Sequence, residues 1–369
     1  MRPGRSGTAA SCGSATTSVG EPVVAILAEG LFAPRTAKTA IGALRYAPYR
    51  IVAVIDSTRA GIDASAIVGV GSGVPVVATI ADARDRGATV LLIGTAAAGG
   101  RIPASYRPIL RDWLAAGGAV WNGLHERIAA DPDLAGAAAR GTVRELREPP
   151  EDLPVGGHRT RRAGTTVVLT VGSDAAVGKM TASLELVAAL RRAGRRVAFV
   201  ATGQTGIAIA GTGISVDAVV ADFIAGAAER LVCDAAADAD WVVVEGQGSL
   251  AHPGFSGVTL GLLHGSAPDL LVLCTDPARS GLKDHPEIPL RPLPELVAMY
   301  EGAARWTRPP AVRVPVVAVA LNTSALGPAE ARAAVAAAAD ATGLPACDPV
   351  REGPGAVDRI ARALIDARR

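Results

Sequence analysis

The 369 residues carry 37 basic and 35 acidic side chains, a net charge of +2; 49% are hydrophobic but only 3% aromatic. That near-balance leaves no electrostatic footprint for nucleic acid, and the scarcity of aromatics removes a base-stacking platform. The length suits two domains, and small apolar side chains pack helices closely on sheets, so layered α/β packing is expected.

The first twenty residues, MRPGRSGTAASCGSATTSVG, are basic, Ser/Thr-rich and free of acids. They loosely imitate a transit peptide but lack the apolar core of a signal peptide, so residues 1–20 are expected to be a disordered extension. The first domain is expected over residues 21–147. VVAILAE is a buried-strand candidate, TAKTAIGALRYA a helix, and IVAVID a strand ending at Asp56. VPVVAT, TVLLIG and GAVWNG are further short strands, with a helix expected over residues 107–116. Apolar runs of this length between helical stretches imply a parallel sheet covered on both faces. An acid closing a strand stands where dinucleotide folds bind the ribose. Yet EGLFAPRTAKTA follows the first strand in place of GxGxxG, so a nicotinamide site lacks its phosphate-binding half. Asp56 reads equally well as a helix N-cap.

REPPEDLPVGGHRTRRAG mixes prolines, glycines and clustered charges without periodicity, so a linker is expected over residues 148–164. From residue 165 to 369 the α/β rhythm returns more strongly. Strands are expected over residues 167–171 and 197–201 and at WVVVEG, DLLVLC and VPVVAVALN. Helices are expected over residues 179–193 and 217–232, and two more at the C-terminus. This is a doubly wound sheet of at least five strands, with ligands expected at the carboxyl ends of its strands. The cysteines at 12, 233, 274 and 347 form no CxxC pair, so neither a zinc cluster nor a redox motif is supported, and reduced thiols in a cytoplasmic protein are the default. No apolar run reaches ~18 residues, so no membrane span is expected.

Between strand and helix in the second half stands GSDAAVGKMT. Its spacing is Gly172-x5-Gly178-Lys179, one residue longer than the Walker pattern G-x4-GK[ST], and Met180 fills the usual Ser/Thr place. Glycines let backbone N–H groups converge on an anion, the helix starting near Lys179 presents its positive end, and the lysine neutralises a terminal phosphate. The competing reading is an ordinary strand-to-helix turn.

The x5 loop resembles that of the dethiobiotin synthetase branch of P-loop enzymes, GTDTxVGKT, through Gly172, Asp174, Val177, Gly178 and Lys179. That branch has a magnesium-binding Thr where Met180 stands, which leaves metal binding open; Thr181 remains a phosphate contact. Glu245-Gly246, closing WVVVEG, resembles the branch's metal-binding acid, and Asn322 in VAVALNTS resembles its base-reading residue.

Longer blocks resemble another group, the domain-of-unknown-function family DUF1611. GSDAAVGKMTASLEL, ATGQTGIAIAG, VVVEGQGSLAHPGFSGVTLGLLHGS and PDLLVLC are similar to its P-loop domain; KTAIGALRY, VVAVIDS, LLIGTAAAGGRIP and NGLHE are similar to its N-terminal Rossmann-like domain. The resemblance runs from about residue 23 to the C-terminus, and within this family Gly-Lys-Met-Thr is the normal loop. It implies an α/β fold of two domains, a Rossmann-like parallel sheet followed by a P-loop NTPase-like doubly wound parallel sheet. Some members are D-glutamate N-acetyltransferases, so the resemblance also implies acetyl-CoA as cofactor and D-glutamate or a related amino acid as acceptor. Coenzyme A carries a diphosphate and a 3′-phosphate, which suit a P-loop without the magnesium Thr. The alternatives are an ATP- and Mg²⁺-dependent ligase or kinase resembling dethiobiotin synthetase, and a non-enzymatic nucleotide-binding protein.

Glu245 and His252 are the candidate catalytic groups. Glu245 serves as a base if burial raises its pKa, and His252 titrates near neutrality unperturbed. Glu245 could instead hold Mg²⁺. Cofactor contacts are expected from Gly172, Asp174, Val177, Gly178, Lys179, Met180, Thr181 and Asn322. Gln204 and Thr205 in ATGQTG, with Gln247, Ser249, His264 and Arg45, are the candidate substrate contacts, Arg45 through a planar guanidinium suited to a carboxylate. Backbone N–H groups of residues 246–249 are candidate oxyanion donors. The blander readings are a Thr-stabilised turn at Gln204 and Thr205, histidines with structural roles, and a solvated helix face at Arg45. Asp174 and Asp222 suit helix caps, and Cys274 reads as a buried, inert thiol. The expected partner is a small amino acid, with no nucleic acid and no membrane. The helix-rich C-terminus permits a homo-oligomer without demanding one.

Overall fold

Apolar β-branched runs alternate with alanine-rich helices, and the chain follows that alternation into two parallel sheets. The computed structural model describes residues 21–95 and 98–368. The extension expected over residues 1–20, and Cys12 with it, lies outside the described residues.

The first half runs β1 (Val23–Leu27), α1 (Lys38–Tyr46), β2 (Arg50–Ile55), α2 (Ala64–Val68), β3 (Val76–Val77), α3 (Ile80–Asp85) and β4 (Val90–Ile93). It continues with α4 (Tyr106–Ala115), β5 (Ala119–Asn122), α5 (Ala135–Ala138) and β6 (Thr142–Glu145). The six strands are all parallel, in the order β3-β2-β1-β4-β5-β6. This is the Rossmann order, with its crevice where β1 meets β4. β6 was not expected from the sequence: TVRE is a polar edge strand with no apolar run to mark it.

The second half runs β7 (Thr166–Gly172), α6 (Lys179–Arg192), β8 (Val197–Val200), α7 (Gln204–Ala210), α8 (Ile224–Ala236), β9 (Trp241–Val244) and α9 (Ser256–Ser266). Then come β10 (Leu270–Thr275), β11 (Gly281–Leu282), β12 (His285–Pro289), α10 (Leu293–Arg305), β13 (Val316–Leu321), α11 (Pro328–Thr342), β14 (Ala346–Cys347) and α12 (Pro354–Ala367). The order β14-β13-β10-β7-β9-β8 is again all parallel, and β11 and β12 form a separate antiparallel ribbon. All seven residues of β7 are buried, as a central strand covered on both faces requires. One face packs Val168 and Val272 against Leu186 of α6 and Ile360 of α12. The other packs Val167 and Leu169 against Val232, Leu263 and Tyr300 from α8, α9 and α10. Among the described residues no helix is long and apolar enough to cross a membrane.

The helix expected over residues 217–232 begins only at Ile224. Two short 3₁₀ turns precede it, and Val219 and Val220 between them are extended. Adjacent β-branched valines lose χ1 freedom in a helix and tolerate the β region well. ATGQTG also differs from the expected loop, because its glutamine opens α7.

α7 joins the two halves. Its Ile207 and Ala208 complete an apolar cluster with Val24, Ile26, Ala40 and Leu92 of the first sheet and α1. Thr39 and Thr205 share a hydroxyl hydrogen bond at 2.8 Å, and the Tyr49 hydroxyl donates to the Ala208 carbonyl at 3.0 Å. Tyr46 donates to Glu185 of α6 at 2.9 Å, and Arg147 pairs with Asp217. A Cβ on Gly42 would lie 2.8 Å from Thr205 Cγ2, so α1 approaches α7 closely only because that residue is glycine.

Candidate functional site

Gly172 ends β7, the chain loops, and α6 begins at Lys179. Gly178 takes φ +100°, and a Cβ on Gly172 would sit 2.9 Å from Lys179 Nζ. Gly172 therefore leaves no room for a side chain, and Gly178 takes a left-handed backbone that favours glycine. Lys179 is 6% exposed, and its Nζ donates to the Asp174 carbonyl at 2.8 Å. Burial lowers its pKa to about 8, against the pull of nearby acids. The backbone N–H groups of residues 176–181 have no hydrogen-bond acceptor among the described residues. These are the orphan donors of a helix start and the turn before it, a ready anion cradle.

The loop is braced from outside. The fully buried Asp174 carboxylate accepts from Ala175 N at 2.6 Å, Arg279 Nη1 at 2.8 Å and Lys283 N at 2.6 Å. Arg279 also donates to the carbonyls of Ala175 and Ala176 at 2.9 and 3.1 Å. Asp174 therefore ties the β11–β12 ribbon to the loop, and its carboxylate is spent on that brace. Tyr300 braces the other side: its hydroxyl donates to the Gly172 carbonyl at 2.7 Å and accepts from Leu250 N at 3.1 Å.

Glu245 follows β9 and is 4% exposed. Its Oε2 accepts from Thr202 N at 3.1 Å and Gly203 N at 3.3 Å. Burial raises its pKa to about 7, outweighing those two bonds and the Lys179 charge. A Cβ on Gly206 would meet Glu245 Oε2 at 2.2 Å, so α7 comes this close only with glycine there. The Thr202 hydroxyl donates to the Glu245 carbonyl at 2.6 Å and accepts from Gln247 Nε2 at 3.2 Å. Lys179, Glu245, Thr202 and Gln247 thus form one cluster at the carboxyl ends of β7, β8 and β9. Gly246 N donates to the Thr170 hydroxyl at 3.0 Å, which removes it as an oxyanion donor. The N–H groups of Gln247, Gly248 and Ser249 have no partner among the described residues.

The other candidates fall into two sets. Asn322 stands beside the loop, its Cβ 3.6 Å from a Cβ placed on Gly178, while Val177 is buried beneath the loop and Thr181 is half-buried. Met180 turns to the domain junction, its Cε 3.2 Å from a Cβ placed on Gly42. Gln204 packs on Gly123 of the first half, and Thr205 bonds Thr39. His252 is 2% exposed; its Nδ1 accepts from Gly254 N at 3.1 Å, so Nε2 carries the proton and donates to the Lys283 carbonyl at 3.1 Å. Both ring nitrogens are engaged, Nε2 holding the ribbon to the loop after β9 and Nδ1 closing a turn within that loop. The buried Ser249 Oγ accepts from Ala251 N at 3.2 Å.

His264 is not brought to the cluster. It lies near the end of α9, where the chain turns back toward the start of β10, and its Nε2 faces the Ala303 carbonyl at 3.0 Å. Arg45 stands exposed in the last turn of α1, beside Tyr46. Asp222 is exposed in a 3₁₀ turn, and burial pushes the Cys274 thiol up to about 12. Asp56 accepts from Gly30 N, Phe32 N and the Thr58 backbone and hydroxyl, so its carboxylate closes its own loops. Sequence reasoning missed Thr202, Arg279, Lys283 and Tyr300. Thr202 was within reach, one residue past a strand in ATGQTG; Tyr300 sits mid-helix with no local signal.

Residues 154–359 match the DUF1611 P-loop domain of unknown function, and residues 57–149 match the DUF1611 Rossmann-like N-terminal domain. The crystal structure of a DUF1611 family protein from Anabaena variabilis ATCC 29413 superposes with a TM-score of 0.83 at 39% identity, covering 92% of this chain and 99% of that one. A D-glutamate N-acetyltransferase from Tritonibacter scottomollicae is 38% identical over 286 residues, 77% of this chain and 84% of the relative. Another of that name, from Pseudoalteromonas sp, is 35% identical over 288 residues, 78% of this chain and 84% of the relative. The chain belongs to the DUF1611 family.

Proposed function

We propose that the protein is an N-acetyltransferase that uses acetyl-coenzyme A and acts on D-glutamate or a related amino acid. Two relatives at 35–38% identity carry the name D-glutamate N-acetyltransferase. The observation that carries the reading is a buried lysine and a buried carboxylate with a pKa of about 7 in one cluster beside an anion cradle.

The cradle fits a diphosphate. Gly172 and Gly178 leave no side chain between backbone and anion, residues 176–181 offer unpartnered N–H groups, and Lys179 supplies the charge. Met180 offers no oxygen to a metal at the loop's usual Ser/Thr place. When bound, acetyl-coenzyme A supplies an activated acetyl thioester. Its transfer to an amine makes one N–C bond, breaks one C–S bond and frees a proton from the amine. In this reading Glu245 takes that proton, its burial-raised pKa of about 7 suiting a base that works near neutral pH. The N–H groups of Gln247, Gly248 and Ser249 are the donors for developing oxyanion charge.

Calorimetric titration with acetyl-coenzyme A, and separately with Mg·ATP, tests the reading, with Lys179→Ala alongside. Acetyl-coenzyme A binding that the variant loses, followed by thiol release on adding D-glutamate, supports it. Binding of Mg·ATP alone sinks it and leaves an ATP-dependent ligase or kinase.

A further inference from the structure

Where α9 ends and the chain returns toward β10, at the sheet edge opposite the P-loop, Gly156, residues 158–161 and their neighbours line a cavity of about 390 Å³ that is open to solvent on one side. Its wall carries Arg159, Arg161 and Arg308 against one acid, Glu229. Glu229 is buried, and its two oxygens accept the backbone N–H groups of Gly157, at 2.8 Å, and Arg159. Arg161 has its counter-charge: Nη1 donates to the Ala267 carbonyl at 2.8 Å and Nη2 reaches both Asp269 oxygens at 2.6 Å. Arg308 is not. Its Nη2 donates to the carbonyls of Ala267 and Pro268, while Nε and Nη1 have no partner among the described residues. Burial and the neighbouring Arg161 lower its pKa, the mark of a guanidinium short of counter-charge. Arg159 is exposed at the rim of the cavity, and its guanidinium has no protein partner among the described residues.

The backbone marks the same place. Among the described residues, four that are not glycine have left-handed φ: His158 (53°), Ala176 (55°), Ala267 (45°) and Asp284 (65°). Ala176 lies in the P-loop, and Asp284 lies in the ribbon braced to it. His158 and Ala267 both line the cavity. Such strain persists where the surroundings hold it, and it gathers at binding sites.

We infer that this cavity is a second ligand site, taking a small organic oxyanion whose charged head lies between Arg159 and Arg308 and whose short apolar body lies against Ala225 and Val232. Guanidinium forks suit carboxylate and phosphate heads alike. The volume falls at the lower end of small-molecule sites, about 300–1,000 Å³. Residues 156–161 belong to the segment joining the two sheets, so an occupant would fasten that segment to α8.

The test is calorimetry on the full-length Lys179→Ala protein, whose P-loop lacks its cation, titrated with succinate and separately with glycerol 3-phosphate. One equivalent of at least one probe is expected to bind, and the tighter probe names the head group. Arg159→Ala and Arg308→Ala should each weaken binding at least tenfold. Arg308→Ala also removes a donor from the Ala267 carbonyl and frees that of Pro268 at the α9–β10 turn, so Arg159→Ala, which breaks no such contact, is the deciding variant. Absence of binding by either probe, or binding that Arg159→Ala leaves unchanged, overturns the site.

Discussion

Asp56 and Glu245 each follow a parallel strand at the ligand edge of a six-stranded sheet, and each is buried. Asp56 accepts from Gly30, Phe32 and Thr58, whose loops close over the strand ends. Glu245 accepts from Thr202 and Gly203 alone, and desolvation prevails, lifting its pKa to about 7. Around Asp56 the backbone donors are answered. Around Glu245 a buried lysine and unpartnered N–H groups wait for an anion. A strand-end acid therefore becomes chemically interesting through the partners it lacks, and that is where the edges of these two similar sheets part.

The largest effect expected is from Glu245→Gln, which should lower kcat/KM by ~10²–10⁴ if the carboxylate is the base. The wild-type rate should rise as pH climbs through about 7, where Glu245 loses its proton, and fall above about 8, where Lys179 loses its own. The variant should keep only the upper limb. Persistence of the lower limb would assign the base elsewhere. Stability gives an independent reading. The Glu245 pKa is raised from an ordinary 4.5, so its contribution is full below that value and lost as pH rises through about 7. Denaturation of Glu245→Gln should show a flatter pH dependence across that window.

Lys179→Ala should weaken binding of the phosphate-bearing donor on the order of 10- to 100-fold, the scale of a hydrogen bond to a charged group. Calorimetry reads this directly. Tyr300→Phe should cost about 1–3 kcal/mol in chemical denaturation, because the Leu250 N–H and a Gly172 carbonyl bond are left unmade inside the protein. Its effect on donor affinity should be smaller than that of Lys179→Ala, since it acts by loosening the loop. Asp56→Ala should cost a similar ~1–3 kcal/mol in stability and leave kcat/KM unchanged. A loss of donor binding in Asp56→Ala as deep as that in Lys179→Ala would break the comparison, placing the first domain's edge in the site.

The sequence by itself determined the alternation of strands and helices, the glycine-lysine loop between β7 and α6, and the acids standing at strand ends. These features are written in residues a few positions apart, through apolar period, glycine and strand length. The helix expected over residues 217–232 failed locally, at the Val219–Val220 pair. Only the tertiary structure decided which polar groups remain without partners. Arg279 reaches Asp174 across 105 residues, Tyr300 reaches Gly172 across 128, and Thr39 reaches Thr205 across 166. The first of those pairings turns Asp174 into a brace, and a further one spends His252 Nε2 on the Lys283 carbonyl, while α9 carries His264 to the opposite edge. No period along the chain encodes them, because a hydrogen bond depends on which loops the packed sheets bring side by side.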